Sequence, residues 1–192
     1  MNALSICEWM WLAWFVIWMI WAAQSKKTHE RESLGSVVSY GVFAWAAMLL
    51  MIDRNTLGAW GRSTILPQST WMNWGAVAFA VVGFAITVWA RAILGSNWSG
   101  TVTIKVEHEL IRTGPYRWVR HPIYSGLIMA LLGTLIALDQ WRGIVALPLL
   151  WVAFAIKYLK EEQAMRQTFG EQYDEYSRTT GAIFPRLLHR NN

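Results

Sequence analysis

The sequence predicts an all-α integral membrane protein with five transmembrane helices. Three observations lead there. Hydrophobic residues make up 55% of the 192 residues, and the mean hydropathy is +0.27, whereas a soluble domain is about 45–50% apolar. The excess is gathered into five long runs, as membrane spans require. Fourteen tryptophans suit a belt at the lipid headgroup level, which tryptophan prefers.

The first run is Leu4–Ala23, broken only by Glu8. A cleaved signal sequence is disfavoured there, because no Lys or Arg precedes the run and it exceeds a usual signal core. The second run is Val37–Ile52, and the third is Trp71–Leu94 with Arg91 near its end. The fourth is Pro122–Leu138, and the fifth is Ile144–Leu159 with Lys157 near its end. A span needs about 20 residues, with about 17 acceptable. The first and third runs meet this; the second and fifth need flanking residues.

Pro122 marks the start of the fourth helix, since its missing N–H would be unpaired in a first turn anyway. Only Asp139 to Gly143 separates runs four and five, which predicts a tight antiparallel hairpin. Gly95–Thr113 reads as a loop, with extended pieces where Thr101 to Val106 alternate. Lys160–Thr179 reads as an amphipathic helix, with Met165, Phe169, Tyr173 and Tyr176 on one face. Gly181 ends it and Pro185 follows. Gly75 and Gly83 offer sites of close helix packing. No repeat or linker divides the chain, so residues 1–192 are expected to form a single domain.

Charge sets the orientation. Lys26, Lys27 and Arg31 follow the first run, and Arg91, Lys105, Arg112, Arg117 and Arg120 lie between the third and fourth. Lys157, Lys160, Arg166, Arg178, Arg186 and Arg190 lie at the carboxyl end. Those fourteen of the 17 basic residues fall on one side, and Arg54, Arg62 and Arg142 on the other. The crowded side should be cytoplasmic, with the N-terminus outside and the C-terminus inside. The net charge of +5 and pI near 9.6 then point to anionic membrane lipids rather than nucleic acid.

Several chemistries are disfavoured. Cys7 is the only cysteine, so no intrachain disulfide or thiolate cluster forms. The four histidines show no H-x-x-x-H or H-E-x-x-H spacing, so no metal site is expected. His29 and His189 read as surface residues. No G-x-G-x-x-G follows a strand and no P-loop occurs. The sequon at Asn97 falls on the cytoplasmic side and is discounted.

Three constellations remain. Arg120-His121-Pro122, with Tyr116 and Tyr124, opens the fourth helix. It reads either as a cationic cap on lipid phosphates or as a ligand site at a helix N-terminus. Glu161-Glu162 follows the fifth run. Adjacent acids cannot share a helix face, so one can face a pocket while the other pairs with a cation. Third comes the segment Val106 to Ile111, which holds His108 and Glu109.

In order, the chain reads Leu94-Gly95-Ser96-Asn97-Trp98-Ser99, His108-Glu109-Leu110-Ile111, Gly114-Pro115-Tyr116, and Arg120-His121-Pro122-Ile123-Tyr124-Ser125-Gly126. After a helical hairpin come Glu161-Glu162, Phe169-Gly170-Glu171-Gln172-Tyr173-Asp174-Glu175-Tyr176 and Phe184-Pro185. This pattern closely resembles the isoprenylcysteine carboxyl methyltransferase and phospholipid methyltransferase superfamily. The likeness spans roughly Leu94 to Pro185; residues 1–70 resemble only generic membrane helices.

The resemblance implies a membrane-embedded methyltransferase that uses S-adenosylmethionine bound in a cytosolic loop. It places His108, Glu109, Leu110, Ile111, Tyr116, His121, Pro122, Tyr124 and Glu161 around that cofactor. It assigns the catalytic positions to Lys157 and Glu161. A lipophilic acceptor would enter sideways from the bilayer. The best-matching acceptor is an isoprenylcysteine-type carboxylate, which needs no base; an amine, phenol or thiol would need proton removal by Glu161, Glu162 or His121. One departure stands out. The carboxyl methyltransferases carry arginine four residues before the first glutamate, where this chain has Lys157, which lacks the planar fork that matches a carboxylate. A sterol-reductase-like enzyme with a nicotinamide cofactor is the alternative of different chemistry.

Overall fold

Apolar runs of 17 to 29 residues cannot leave backbone groups unpaired in lipid, so they fold as helices. A computed structural model describes residues 2–23, 32–53, 55–67, 69–98 and 109–186. Its helices are α1 (Ala3–Ala22), α2 (Leu34–Ile52), α3 (Gly58–Arg62), α4 (Thr70–Leu94), α5 (Pro122–Leu138), α6 (Trp141–Phe169) and α7 (Glu171–Thr179). Among the described residues there is no strand, only the isolated bridges Thr64 with Gln140 and Val119 with Gly181. Four helices, α1, α2, α4 and α6, are long and apolar enough to cross a membrane, and α5 is a shorter apolar helix.

The helix starts follow local chemistry. Asn2, Ser33 and Ser69 each accept the backbone N–H three residues on, at 2.8, 3.2 and 3.2 Å. Such caps satisfy N–H groups that a helix start leaves orphaned. Pro122 opens α5 as its sequence position implies.

Packing divides the molecule into two groups. In the first, α4 and α5 pack along their lengths and α1 lies against both. In the second, α2 packs on α6. The α5–α6 turn is as short as expected, with only Asp139 and Gln140 between the helices. Asp139 takes the left-handed conformation (φ 48°) and its Oδ1 accepts the N–H groups of Ile65 and Leu66 at 3.3 and 3.0 Å. Yet α5 and α6 touch sparsely. Each prefers its own partner, so the expected tight hairpin is an open one.

Glycine decides how closely α4 and α5 approach. A Cβ at Gly83 would sit 2.4 Å from Ala130 N, and one at Gly126 would sit 2.5 Å from Gly83 O. Gly133 faces Ala76 and Ala80 equally closely. Backbones in such contact gain dispersion along the whole seam. Gly75, paired with Gly83 in the sequence, has open space around it and takes no part.

Tryptophan has a second use besides the interface. Trp11 and Trp14 sit in the middle of α1 and donate to Thr134 on α5 (3.0 Å) and Thr87 on α4 (2.9 Å). A buried indole N–H needs such a partner. Arg91 is buried at the end of α4. It donates to Trp21 O (2.8 Å) and Gly95 O (2.5 Å), with the Trp98 ring 4.6 Å from its guanidinium.

The Lys160–Thr179 helix of the sequence divides in two. α6 runs ten residues past Leu159 to Phe169, and Gly170 turns the chain at φ 50° before α7. Tyr173 and Tyr176 still bury the face they share, against the segment before α5. The extended stretch expected at Thr101 to Val106 lies outside the described residues, as does His108.

Candidate active site

Glu161 and Glu162 follow the last apolar turns of α6, and the i, i+1 spacing sends them in different directions. Glu161 turns to a cavity of about 460 Å³. Its Oε1 accepts the Tyr124 hydroxyl at 2.7 Å, and its Oε2 lies 3.5 Å from His121 Nδ1. Glu162 turns to Arg120. The guanidinium Nε and Nη2 both donate to its Oε1, at 2.8 and 2.6 Å, and Arg166 lies 3.7 Å from Oε2. Thus one acid faces the pocket and the other pairs with a cation, as adjacency implied.

Arg120 also holds the carboxyl-terminal part of the chain. Its Nη1 donates to Ser177 O (3.2 Å) and Thr180 O (2.6 Å). Nearby, Arg120 N donates to Gly181 O and His121 N to Ala182 O, both at 2.9 Å. Ser125 Oγ adds a bond to Ile183 O at 2.5 Å. Residues 180–183 therefore strap the start of α5, so that His121 and Pro122 are fixed in place and buried.

His121 stands between the two glutamates. Its Nε2 is 3.4 Å from Glu162 Oε1, an ion-pair separation without hydrogen-bond alignment. Burial favours the neutral imidazole, but the Glu161 and Glu162 carboxylates beside its two nitrogens outweigh it. The net result is a pKa above the ordinary value of 6.5. The buried tyrosines next to it go the same way for a different reason: desolvation raises Tyr116 and Tyr173, and takes Tyr176 to about 12. All three remain neutral donors at physiological pH. Tyr176 uses its hydroxyl on Tyr116 O at 2.6 Å. Tyr173 keeps its hydroxyl near Arg120 without an aligned hydrogen bond.

The cavity brings together nine of the ten residues singled out in the sequence. Glu109, Leu110, Ile111, Tyr116, His121, Pro122, Tyr124, Lys157 and Glu161 all line it. His108, the tenth, lies outside the described residues. Lys157 Nζ is 6.0 Å from the Tyr124 ring centre and 5.6 Å from that of Tyr40.

Sequence reasoning did not assign the rest of the wall to the site. Trp14 and Trp18 come from α1, and Tyr40 and Ala44 from α2. Asn97 and Trp98 follow α4, while Met165 and Thr168 come from the end of α6. Tyr40 and Ala44 share a face of α2 by their i, i+4 spacing. Nothing local, however, says that this face meets α6. Ala153, Phe154 and Leu127 carry the cavity down among the helices. One end is therefore polar and the other apolar.

Residues 76–167, from α4 to the end of α6, match the family model described as the isoprenylcysteine carboxyl methyltransferase family. Over that segment, just under half of its length, the chain is similar to the isoprenylcysteine carboxyl methyltransferase family. A relative from Oryza sativa subsp. indica, named probable protein-S-isoprenylcysteine O-methyltransferase, is 31% identical over 123 residues. That match covers 62% of this chain and 64% of the rice protein. The protein-S-isoprenylcysteine O-methyltransferase of Saccharomyces cerevisiae is 33% identical over 94 residues, covering 47% of this chain and 39% of the yeast protein. The chain thus spans less than two thirds of the length of these relatives. The fold is similar to that of a solved eukaryotic intramembrane Ras methyltransferase, ICMT. The TM-score is 0.57 at 23% identity, covering 81% of this chain and 54% of that one. The chain therefore shares the all-helical fold of that solved structure.

Proposed function

We propose that this protein transfers a methyl group from S-adenosylmethionine to the carboxylate of a lipophilic, isoprenylcysteine-type acceptor. The observation that carries this reading is the meeting of Glu161, Tyr124 and His121 at the polar end of a cavity whose deeper walls are Ala153, Phe154 and Leu127. A polar cofactor and an apolar chain need such a two-ended site. The family match over residues 76–167 and the names of the relatives support the same chemistry.

The residues fit the cofactor. A volume of about 460 Å³ lies within the usual range for small-ligand sites. The seventeen-residue α5 points its N-terminus at the cavity through Pro122, where free N–H groups and the helix dipole favour a carboxylate. Asn97 Oδ1 is buried on the cavity wall with no partner among the described residues, an acceptor that an amino or hydroxyl group satisfies. Glu161 complements a cationic group. On this reading Glu109, Leu110, Ile111, Tyr116, His121, Pro122 and Tyr124 hold the cofactor together with Glu161, and His108 joins them.

When bound, S-adenosylmethionine would supply a methyl group already activated by its sulfonium charge. The protein's part is position and exclusion of water. The carboxylate acceptor carries its own nucleophilic oxygen, so no side chain removes a proton. Lys157 holds that carboxylate as a point charge rather than by a guanidinium fork. The sparse contact between α5 and α6 leaves a side through which an apolar chain passes from the bilayer. With α5 counted as a span beside α1, α2, α4 and α6, the charge distribution puts the cavity and the C-terminus in the cytosol and the N-terminus outside.

Titration calorimetry on the purified protein in detergent tests the cofactor half. Saturable binding of S-adenosylmethionine and of its demethylated product is expected, with none of NADPH. Binding of NADPH alone, or of neither, removes this reading.

A further inference from the structure

We propose that Tyr40 is a positioning residue for the Lys157 ammonium and thereby selects acceptors with an anionic end. The proposal rests on the reading above that Lys157 faces the acceptor. Tyr40 stands on α2, outside the segment that matches the family model.

The Tyr40 ring centre lies 5.6 Å from Lys157 Nζ, and the Tyr124 ring 6.0 Å from the same atom. Both fall within the range where a ring face attracts a cation. Tyr40 is itself fixed. Its hydroxyl donates to Glu32 Oε2 at 3.1 Å, and Ser36 Oγ donates to Glu32 Oε1 at 2.5 Å. One turn past Lys157, Lys160 Nζ donates to Ser36 O, Ser36 Oγ and Ser39 Oγ at 3.1, 2.7 and 2.7 Å. These bonds lock the start of α2 to α6 and turn the Tyr40 ring toward the cavity.

The physical need is specific to lysine. An ammonium on a four-carbon stem has much rotamer freedom and no fixed fork. The Tyr40 and Tyr124 ring faces limit where it rests. The lysine that stands where the family has arginine is thus aimed by a residue from another helix.

The test compares affinities for N-acetyl-S-farnesylcysteine and for its methyl ester, which differ in the anionic end alone. Calorimetry is run on the wild type, Tyr40→Phe, Tyr40→Leu, Lys157→Met and the Tyr40→Leu, Lys157→Met double variant. Monodispersity and thermal unfolding check each fold. The wild type should prefer the acid, and Tyr40→Phe should retain that preference. Tyr40→Leu should lose about tenfold of it, and should add nothing once Lys157 is methionine. Equal weakening of acid and ester binding by Tyr40→Leu would mean a purely structural role and overturn the proposal. So would an unchanged preference, or none in the wild type. An acid preference that responds as stated, in a protein that transfers no methyl group, supports the Tyr40 assignment and removes the proposed function instead.

Discussion

The Tyr124 hydroxyl donates to Glu161 Oε1 at 2.7 Å, joining the first turn of α5 to the carboxyl-terminal third of α6. These two helices otherwise touch sparsely, so this bond closes the polar end of the cavity. Tyr124→Phe keeps the ring and removes the donor. A hydrogen bond to a charged group is worth about 1.5–3 kcal/mol. The melting temperature should therefore fall, and binding of S-adenosylmethionine should weaken as well because Glu161 is no longer held at the cavity. Calorimetry beside a melting curve separates the two.

Arg120 and Glu162 form a buried ion pair at 2.6 Å. Removing one partner of such a pair costs about 3–5 kcal/mol, because the other charge remains uncompensated. Arg120→Met should lower the melting temperature severely and release residues 177–180 from their bonds to the guanidinium. Glu162→Gln should do less, since Arg120 keeps Ser177 O and Thr180 O. Limited proteolysis after α7 distinguishes the two variants.

Much of the site was legible because its signals are local. The i, i+1 acids had to diverge, and Glu161 and Glu162 do. Pro122 had to open a helix. Other features depend on which helices meet, which no short segment encodes. Lys160 read as one of the basic residues that set the orientation, yet it is held by Ser36 and Ser39, more than 120 positions away. Trp11 and Trp14 read as belt residues, yet they bond Thr134 and Thr87. Gly170 sits mid-pattern in an amphipathic period that the side chains preserve on both sides. The pattern alone therefore concealed the break.

His121 links stability to pH. Its folded pKa lies above 6.5 because Glu161 and Glu162 outweigh its burial. A raised folded pKa contributes stability that is fully present below the unfolded value, about 6.5, and is lost as pH rises through the folded value. The melting temperature of the wild type relative to His121→Gln should be greatest below about pH 6.5 and decline above it. A difference that grows with pH would show that His121 folds as a neutral group.

Gly83 and Gly75 separate packing from propensity. Gly83→Leu places side-chain atoms where Ala130 N and Gly126 O already sit within 2.5 Å of a Cβ, so α4 and α5 must part and the protein should fail to fold. Gly75→Ala meets nothing within 4 Å and should be neutral or stabilise by about 0.5–1 kcal/mol, through helix propensity. Yield and melting temperature in detergent read both. A tolerated Gly83→Leu would contradict the close approach of the two helices.

The most direct measurement is methyl transfer itself, with purified protein in lipid nanodiscs, radiolabelled S-adenosylmethionine and N-acetyl-S-farnesylcysteine. The account expects a base-labile methyl ester from the wild type and loss of product in Glu161→Gln, with that variant still folded. Absence of ester from the wild type, or full activity in Glu161→Gln, would contradict it.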